Sequence, residues 1–274
     1  MIAFDFEFFQ PTSVEDAINL YEHFDSEQKN VIYYSGGTEF ISRARRNEVL
    51  IDVVIDLKKI PECGLIETKE DEIVIGSAVS LSNINDNEIF PLLSRVCRKI
   101  ATRTERNKIT IGGNIASNLP YKEALLALLV SDSDLLIASE KGTYRKNIHD
   151  FIKPEGMLKQ SEFIVQIMTK NDIVKQPYFY FRRTPQSSIN YPVLSMACLM
   201  NGDKLNVSFS GLCSFPFRST KIEKVLNEQL STGEKYHKII HLIPDSIVDD
   251  FIASSEYRLF VLENALQDLE KKLG

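Results

Sequence analysis

Runs of β-branched and aromatic residues alternate with helical patterns over the first sixty positions. Phe8-Phe9 closes a short strand before Pro11, and Thr12-Ser13 followed by Glu15-Asp16 caps a helix whose apolar residues recur at helical spacing from Val14 to Phe24. Val31 to Tyr34 is a short apolar run that stops at Gly36-Gly37. A helix is predicted over Thr38 to Arg46, and Val49 to Leu57 is strongly β-branched. Residues 1–57 thus read as a small three-layer αβ unit. In a second region, 58–170, Leu65 to Thr68 and Glu72 to Ile75 pair around Lys69-Glu70-Asp71, while Phe90 to Ala101 and Pro120 to Val130 carry helical periodicity. Leu135 to Ser139 and Tyr144 to Ile148 flank Lys141-Gly142 as a hairpin, and Glu162 to Thr169 adds a strand to a mainly antiparallel sheet. In the third region, 171–274, Leu194 to Met200 and Lys204 to Ser210 bracket the hairpin signal Asn201-Gly202-Asp203. Helices follow over Thr220 to Leu230, Asp245 to Ala253 and Glu256 to Leu273, the last with an apolar stripe at Leu259, Leu262, Leu266 and Leu269.

Composition narrows the class. The 274 residues are 43% hydrophobic and 26% charged, a globular balance that excludes disordered, collagen-like and coiled-coil classes. The longest wholly apolar run, Ala124 to Val130, falls far short of the roughly 20 residues of a membrane-spanning helix. The acidic opening Met1-Ile-Ala-Phe-Asp-Phe-Glu has neither the basic head nor the apolar stretch of a signal peptide. A cytoplasmic protein with no membrane partner is expected. A net charge of −6 with dispersed basic residues disfavours nucleic acid. Cys63, Cys97, Cys198 and Cys213 form no CxxC pair and no cluster or zinc spacing, so they read as buried reduced thiols. His237 and His241 stand one helical turn apart but lack the HExxH glutamate and read as a solvated face, so no metal site is expected.

Glycine is scarce, with 12 in the chain, yet four fall in two adjacent pairs, Gly36-Gly37 and Gly112-Gly113. Random placement gives about half a pair. Each pair follows a β-like run and leads into a helical pattern, where glycines permit φ > 0 and close backbone approach, so that successive N–H groups converge on an anion such as a pyrophosphate. For either pair alone a tight turn is the plainer reading. Their polar company favours the anion: Thr38 follows the first pair, and Asn114, Ser117 and Asn118 follow the second. These groups hydrogen-bond phosphate and ribityl oxygens without a countercharge. Neither loop is a G-x-G-x-x-G or a P-loop with its Lys-Ser/Thr, which disfavours a Rossmann NAD domain and a kinase.

The run Arg106-Asn107-Lys108-Ile109-Thr110-Ile111-Gly112-Gly113-Asn114-Ile115-Ala116-Ser117 resembles the R-N-x-x-T-I-G-G-N-I-A signature of the FAD-binding (medium) subunit of molybdopterin dehydrogenases, the xanthine dehydrogenase and carbon monoxide dehydrogenase flavoprotein family. Tyr34-Ser35-Gly36-Gly37-Thr38-Glu39-Phe40 resembles that family's A-G-G-T-D-L loop. The likeness extends to Asp56-Leu-Lys-Lys-Ile-Pro-Glu, to Ile75-Gly76-Ser77-Ala78 and to Ser255-Glu256-Tyr257-Arg258, covering almost the whole chain in order. It implies an α+β chain: a two-subdomain vanillyl-alcohol-oxidase (PCMH)-type FAD-binding fold, then a C-terminal domain of a small antiparallel sheet and helices. It also implies that Ser35, Gly36, Gly37, Thr38 and Glu39, with Thr110, Ile111, Gly112, Gly113, Asn114, Ser117 and Asn118, wrap the FAD pyrophosphate and ribityl chain. Where the family has S-P-x-x-D, this chain reads Asn118-Leu119-Pro120-Tyr121-Lys122-Glu123, which makes Glu123 a candidate with one more methylene of reach; an ordinary helix-start glutamate is an equal reading. Where the family has K-F-x-R-R-x-x-D, this chain has Tyr180-Phe181-Arg182-Arg183-Thr184-Pro185-Gln186-Ser187, without the lysine and aspartate. Residues 187–191 add length before the next strand. Tyr180 and Tyr191 are candidates to stack on the isoalloxazine, with simple packing as the alternative.

The expected function is an oxidoreductase flavoprotein that passes electrons from a two-cluster iron–sulfur subunit, itself fed by a molybdenum-cofactor subunit, through FAD to NAD or another acceptor. A structural or assembly subunit that kept the fold without productive flavin chemistry is the alternative. A self-contained FAD oxidase ranks third, because 274 residues leave no separate substrate domain. No residue stands out as catalytic, since the flavin does the redox chemistry.

Overall fold

A computed structural model describes residues 2–186 and 190–273, so the added length at 187–189 lies outside the described residues. Contacts gather the chain into two compact units. The first runs to Asp86 and takes in Arg103–Ser117 and Asp132–Asn171; the second comprises Asn87–Thr102, Asn118–Ser131 and the chain from Asp172 onward. These units cut across the three sequence regions, because two segments of 58–170 pack with the C-terminal part.

In the first unit, β1 (Glu7–Phe9), β2 (Val31–Tyr34) and β3 (Val53–Asp56) form a parallel sheet of order β1-β3-β2. The central β3 is wholly buried. Alternate side chains of a strand face opposite ways. Val53 and Ile55 therefore join Ala17, Ile18, Tyr21 and Phe24 of the Val14–Ser26 helix, and Val54 joins Phe40 and Ala44 of the Thr38–Arg45 helix. A parallel strand covered on both faces reads as an unbroken apolar run. Val53–Ile55 is such a run, and the strand is shorter than the β-branched Val49–Leu57 segment; at its start the Asp52 side chain accepts the Asn30 N–H at 2.8 Å while the Asp52 backbone bonds Asn30 and Glu7. The same unit holds β4 (Ile66–Thr68), β5 (Glu72–Gly76), β6 (Asp134–Ser139), β7 (Gly142–Asn147) and β8 (Phe163–Lys170), an antiparallel sheet of order β4-β5-β8-β6-β7.

The second unit is built on β9 (Tyr178–Arg183), β10 (Leu194–Asn201), β11 (Lys204–Ser210) and β12 (Phe217–Arg218), antiparallel and in the order β12-β11-β10-β9. The Ala124–Val130 helix is apolar all round and fully buried. The sheet bonds its carbonyls, Leu126 in the body of the helix by the Ser208 hydroxyl (2.9 Å) and Val130 at its C-terminus by the Asn206 amide (2.8 Å). Leu262, Leu266 and Leu269 of the Ser255–Leu273 helix enter a core with Val193, Leu194 and Met196, as the apolar stripe requires.

Two helix predictions need correction. The helix expected to Leu230 ends at Leu226, because the Asn227 side chain bonds the backbone of Leu205 at 2.9 and 3.1 Å; a capping box at Ser231 and Glu234 then starts a separate helix, Thr232–Ile240. Asp245 to Ala253 is not helical. The Asp250 carboxylate accepts the N–H groups of Ile252 (2.9 Å) and Ala253 (3.1 Å) and pairs with the fully buried Arg258 at 2.7 Å, local bonds that compete with helix formation.

No helix among the described residues is long and apolar enough to cross a membrane. His237 and His241 are both exposed, and no group of three or more His, Cys, Asp or Glu among the described residues is placed to hold a metal. All four cysteines are free and buried. Burial pushes the Cys63 and Cys213 thiols up to about 11 and Cys198 higher still. Since the thiolate is the nucleophile, native protein at about pH 8 should leave all four unmodified by an aromatic disulfide reagent, and unfolding in guanidinium should expose four. Rapid reaction of any thiol in the native state would contradict the buried assignment.

Candidate cofactor site

β2 ends at Tyr34, opposite Asp56 of β3, and the chain turns through Ser35-Gly36-Gly37 into the Thr38–Arg45 helix. Gly37 is the N-cap of that helix, at φ +68° and with no side chain to cap it. A side chain here would be strained and would drive its Cβ into the Tyr34 ring. The N–H groups of Gly36, Gly37, Thr38 and Glu39 bond no acceptor among the described residues, and the buried Ser35 Oγ has no partner either. Unbonded amides at a helix start, where the helix dipole is positive, form a cradle for an anion. The Glu39 carboxylate pairs with Arg43, 3.7 Å away on the same helix.

The second glycine pair is built differently. The short Ile111–Ala116 helix is capped by Thr110, whose Oγ1 accepts the Gly113 N–H at 3.2 Å. Its neighbours are also engaged: Ile111 N–H with the Val79 carbonyl (3.0 Å), Gly112 with Ser77 (2.9 Å) and Asn114 with Thr110 (2.9 Å). Neither glycine has positive φ. Positive φ therefore occurs at the first pair alone, at Gly37, and only there are the amides left unbonded. Gly112 serves close packing, since an added Cβ would stand 2.6 Å from the Ser77 Cβ, whereas at Gly113 it would approach only Thr110 Oγ1, at 3.1 Å. Ser117 Oγ donates to the Asn114 carbonyl at 3.1 Å. The two loops meet at Gly36, where an added Cβ would overlap the Lys108 carbonyl oxygen and stand 3.2 Å from the Thr110 nitrogen.

Asn118, Glu123 and Tyr180 belong to the second unit. Asn118 is exposed. Glu123 is buried, and its carboxylate accepts from Arg182 Nε (2.8 Å) and Nη2 (3.2 Å), from the Tyr180 hydroxyl (3.1 Å) and from the Ser195 hydroxyl (2.7 Å). Burial, and after it the Glu123 charge, push the Tyr180 phenol well above its ordinary value, so it stays a neutral donor. The Tyr191 ring stacks on Tyr121, centroids 4.9 Å apart. Sequence reading missed Lys58, which lies within the quoted Asp56-Leu-Lys-Lys segment: its Nζ donates to the Ser35 carbonyl at 2.9 Å.

Residues 4–169 match the family described as the FAD binding domain in molybdopterin dehydrogenase. The chain belongs to that family. Membership makes it an FAD-binding component of an oxidoreductase. The nicotinate dehydrogenase FAD-subunit of Eubacterium barkeri is 23% identical to it, with 98% of this chain and 95% of that one covered. The glyceraldehyde dehydrogenase medium chain of Sulfolobus acidocaldarius is 21% identical over 83% of each. Among solved structures, carbon monoxide dehydrogenase from Hydrogenophaga pseudoflava shares the fold with a TM-score of 0.86 at 20% identity, covering 98% of this chain and 96% of that one. Quinoline 2-oxidoreductase from Pseudomonas putida 86 shares it with a TM-score of 0.85 at 16% identity, covering 99% and 98%. The cradle at 35–39 fits FAD on its own terms, because its unbonded amides and orphaned hydroxyl suit a pyrophosphate.

The contrast between the loops sets two outcomes. Gly36→Ala presses a methyl on a backbone carbonyl and should strip most FAD from the purified protein, whereas Gly113→Ala meets only its own capping hydroxyl and should keep it; absorbance per chain reads the difference, and equal flavin content would refute the assigned roles. Glu123→Gln leaves the Arg182 guanidinium buried without its countercharge and should cost about 3 kcal/mol or more in urea unfolding. A change well below 1 kcal/mol would show the pair to be solvated.

Proposed function

We propose that this chain is the electron-transfer subunit of a molybdenum hydroxylase, taking electrons from a two-cluster iron–sulfur partner and delivering them to NAD or another acceptor. The observation that carries the reading is the uncapped Thr38–Arg45 helix, with the free amides of residues 36–39 and the orphaned Ser35 hydroxyl at its start. These groups would hold the pyrophosphate. Thr110, Ile111, Gly112 and Gly113 would back that loop, and Asn114 and Ser117 would meet the ribityl hydroxyls; Asn118 stays a candidate on the resemblance alone. Glu123 and Tyr180 would act by fixing the shape of β9, since their polar atoms are committed to each other. FAD, when bound, supplies the redox chemistry.

Residues 1–274 hold no cysteine set for a cluster, so on this reading the iron–sulfur clusters that feed the flavin lie outside them. The relatives' designations as FAD-subunit and medium chain support a complex with iron–sulfur and molybdenum-cofactor subunits, and a cytoplasmic location belongs to this reading. An assembly role without productive flavin chemistry is the second reading, favoured by the Glu123–Tyr180 bond and by the missing lysine and aspartate around 180–187.

Purified protein should be yellow with one FAD per chain. Acid precipitation should release the flavin, because neither loop carries a histidine or cysteine to link it. Anaerobic NADH should then bleach it and support reduction of an artificial dye. Flavin left in the pellet would refute non-covalent binding, and bound FAD that NADH does not reduce would remove NAD as the acceptor.

A further inference from the structure

Lys58 follows β3 and carries its ammonium back to the start of the phosphate loop. Its Nζ donates to the Ser35 carbonyl at 2.9 Å and to Asp56 Oδ1 at 2.9 Å, and it lies 4.5 Å from the centroid of the Tyr34 ring. Asp56 is fully buried, and its second oxygen accepts from Gln10 Nε2 at 2.8 Å, so the carboxylate cannot swing away. A chain of charge-assisted bonds thus runs from Gln10 through Asp56 and Lys58 to one peptide group.

That peptide joins Ser35 to Gly36, and in a trans peptide the C=O and N–H point in opposite directions. Holding the Ser35 carbonyl on the lysine turns the Gly36 N–H away from Lys58, as the first of the unbonded donors. The Tyr34 ring under the ammonium is also the surface against which Gly37 packs, leaving no space for a Cβ. Lys58 therefore touches both peptide neighbours of the cradle.

We propose that Lys58 is a positioning residue for the FAD pyrophosphate: it holds the Ser35–Gly36 peptide and the Tyr34 ring so that the free amides of 36–39 face the phosphates. The proposal rests on the reading of residues 35–39 as the phosphate cradle.

The test titrates the flavin-free full chain with FAD and with riboflavin, which lacks the pyrophosphate, at low and high salt. Lys58→Met keeps the aliphatic stem and should weaken FAD about tenfold, the scale of one lost charge-assisted hydrogen bond, while leaving riboflavin within about twofold. Lys58→Arg retains a cationic donor and should restore most of the affinity. The fold-loss should be the same at both salt concentrations. A loss that shrinks with salt would mean that Lys58 acts as a direct charge on phosphate, which overturns the positioning role. So would unchanged FAD affinity in Lys58→Met, or equal loss for riboflavin. A wild-type chain that binds no FAD would overturn the cradle reading itself, whereas wild-type binding matched by Lys58→Met overturns only the inference.

Discussion

Where Gly36 passes the Lys108 carbonyl there is no room for a methyl group, and this close passage of two backbones determines what the loops beside it can do. Lys108 and Thr110 bound Gly36 on one side, while the Ser35 carbonyl is bonded by Lys58. The peptide between β2 and the Thr38–Arg45 helix is thereby left little freedom. The buried strand β3 underlies this arrangement, because it supplies Asp56 at its end and its apolar residues fix the two flanking helices. A substitution that loosened β3 would thus act on the cradle without touching it.

The helix starts at Thr38 and Ile111 show opposite solutions to the same problem. Every helix begins with N–H groups that have no partner within it. Before Ile111 the chain satisfies them from Thr110, Val79 and Ser77, and the loop becomes a rigid wall. Before Thr38 it leaves them unbonded and adds a buried serine hydroxyl without a partner. An unsatisfied buried hydroxyl costs about 1–3 kcal/mol. On the proposed reading that cost is offset at the first loop by a bound anion, whereas the amides of the second loop are already satisfied by the protein.

Much of this was legible in the sequence. The strands of the small αβ unit, the five strands of the second region, the Leu194–Ser210 hairpin and the final amphipathic helix follow from periodicity and turn signals, whereas the parallel pairing of the first sheet and the two-residue β12 do not. Both glycine loops stood out against a glycine-poor background. Hydrophobic pattern could not show that the pairs differ in kind, since that depends on which carbonyls other segments bring to them: Ser77, Val79 and Lys108 come from distant stretches of chain. Lys58 escaped for a related reason. A half-exposed lysine after a strand has the local signature of solvent, and its role comes from the turn of β2 toward Asp56. The non-helical course of 245–253 was hidden in Asp250, whose bond to Arg258 crosses eight residues.

The second unit shows how departures from a family motif can be internally consistent. Where the resemblance has aspartate this chain has Glu123, whose carboxylate makes a bidentate contact with Arg182 and accepts from the hydroxyls of Tyr180 and Ser195. Arg182 also donates to the Asn190 carbonyl at 2.9 Å, which anchors the chain beyond 187–189 to β9. A site drifting free of selection for its shape would be expected to strand one member of such a set, because a buried charge without a partner is strongly destabilising. Here the glutamate, the arginine and both hydroxyls are joined in one network. Buried ion pairs of this kind contribute little net stability over apolar packing, so their retention points to a demand for a fixed arrangement. That demand is for a β9 held in one conformation by Glu123 and Arg182, with the polar atoms of Tyr180 and Ser195 turned to the same carboxylate.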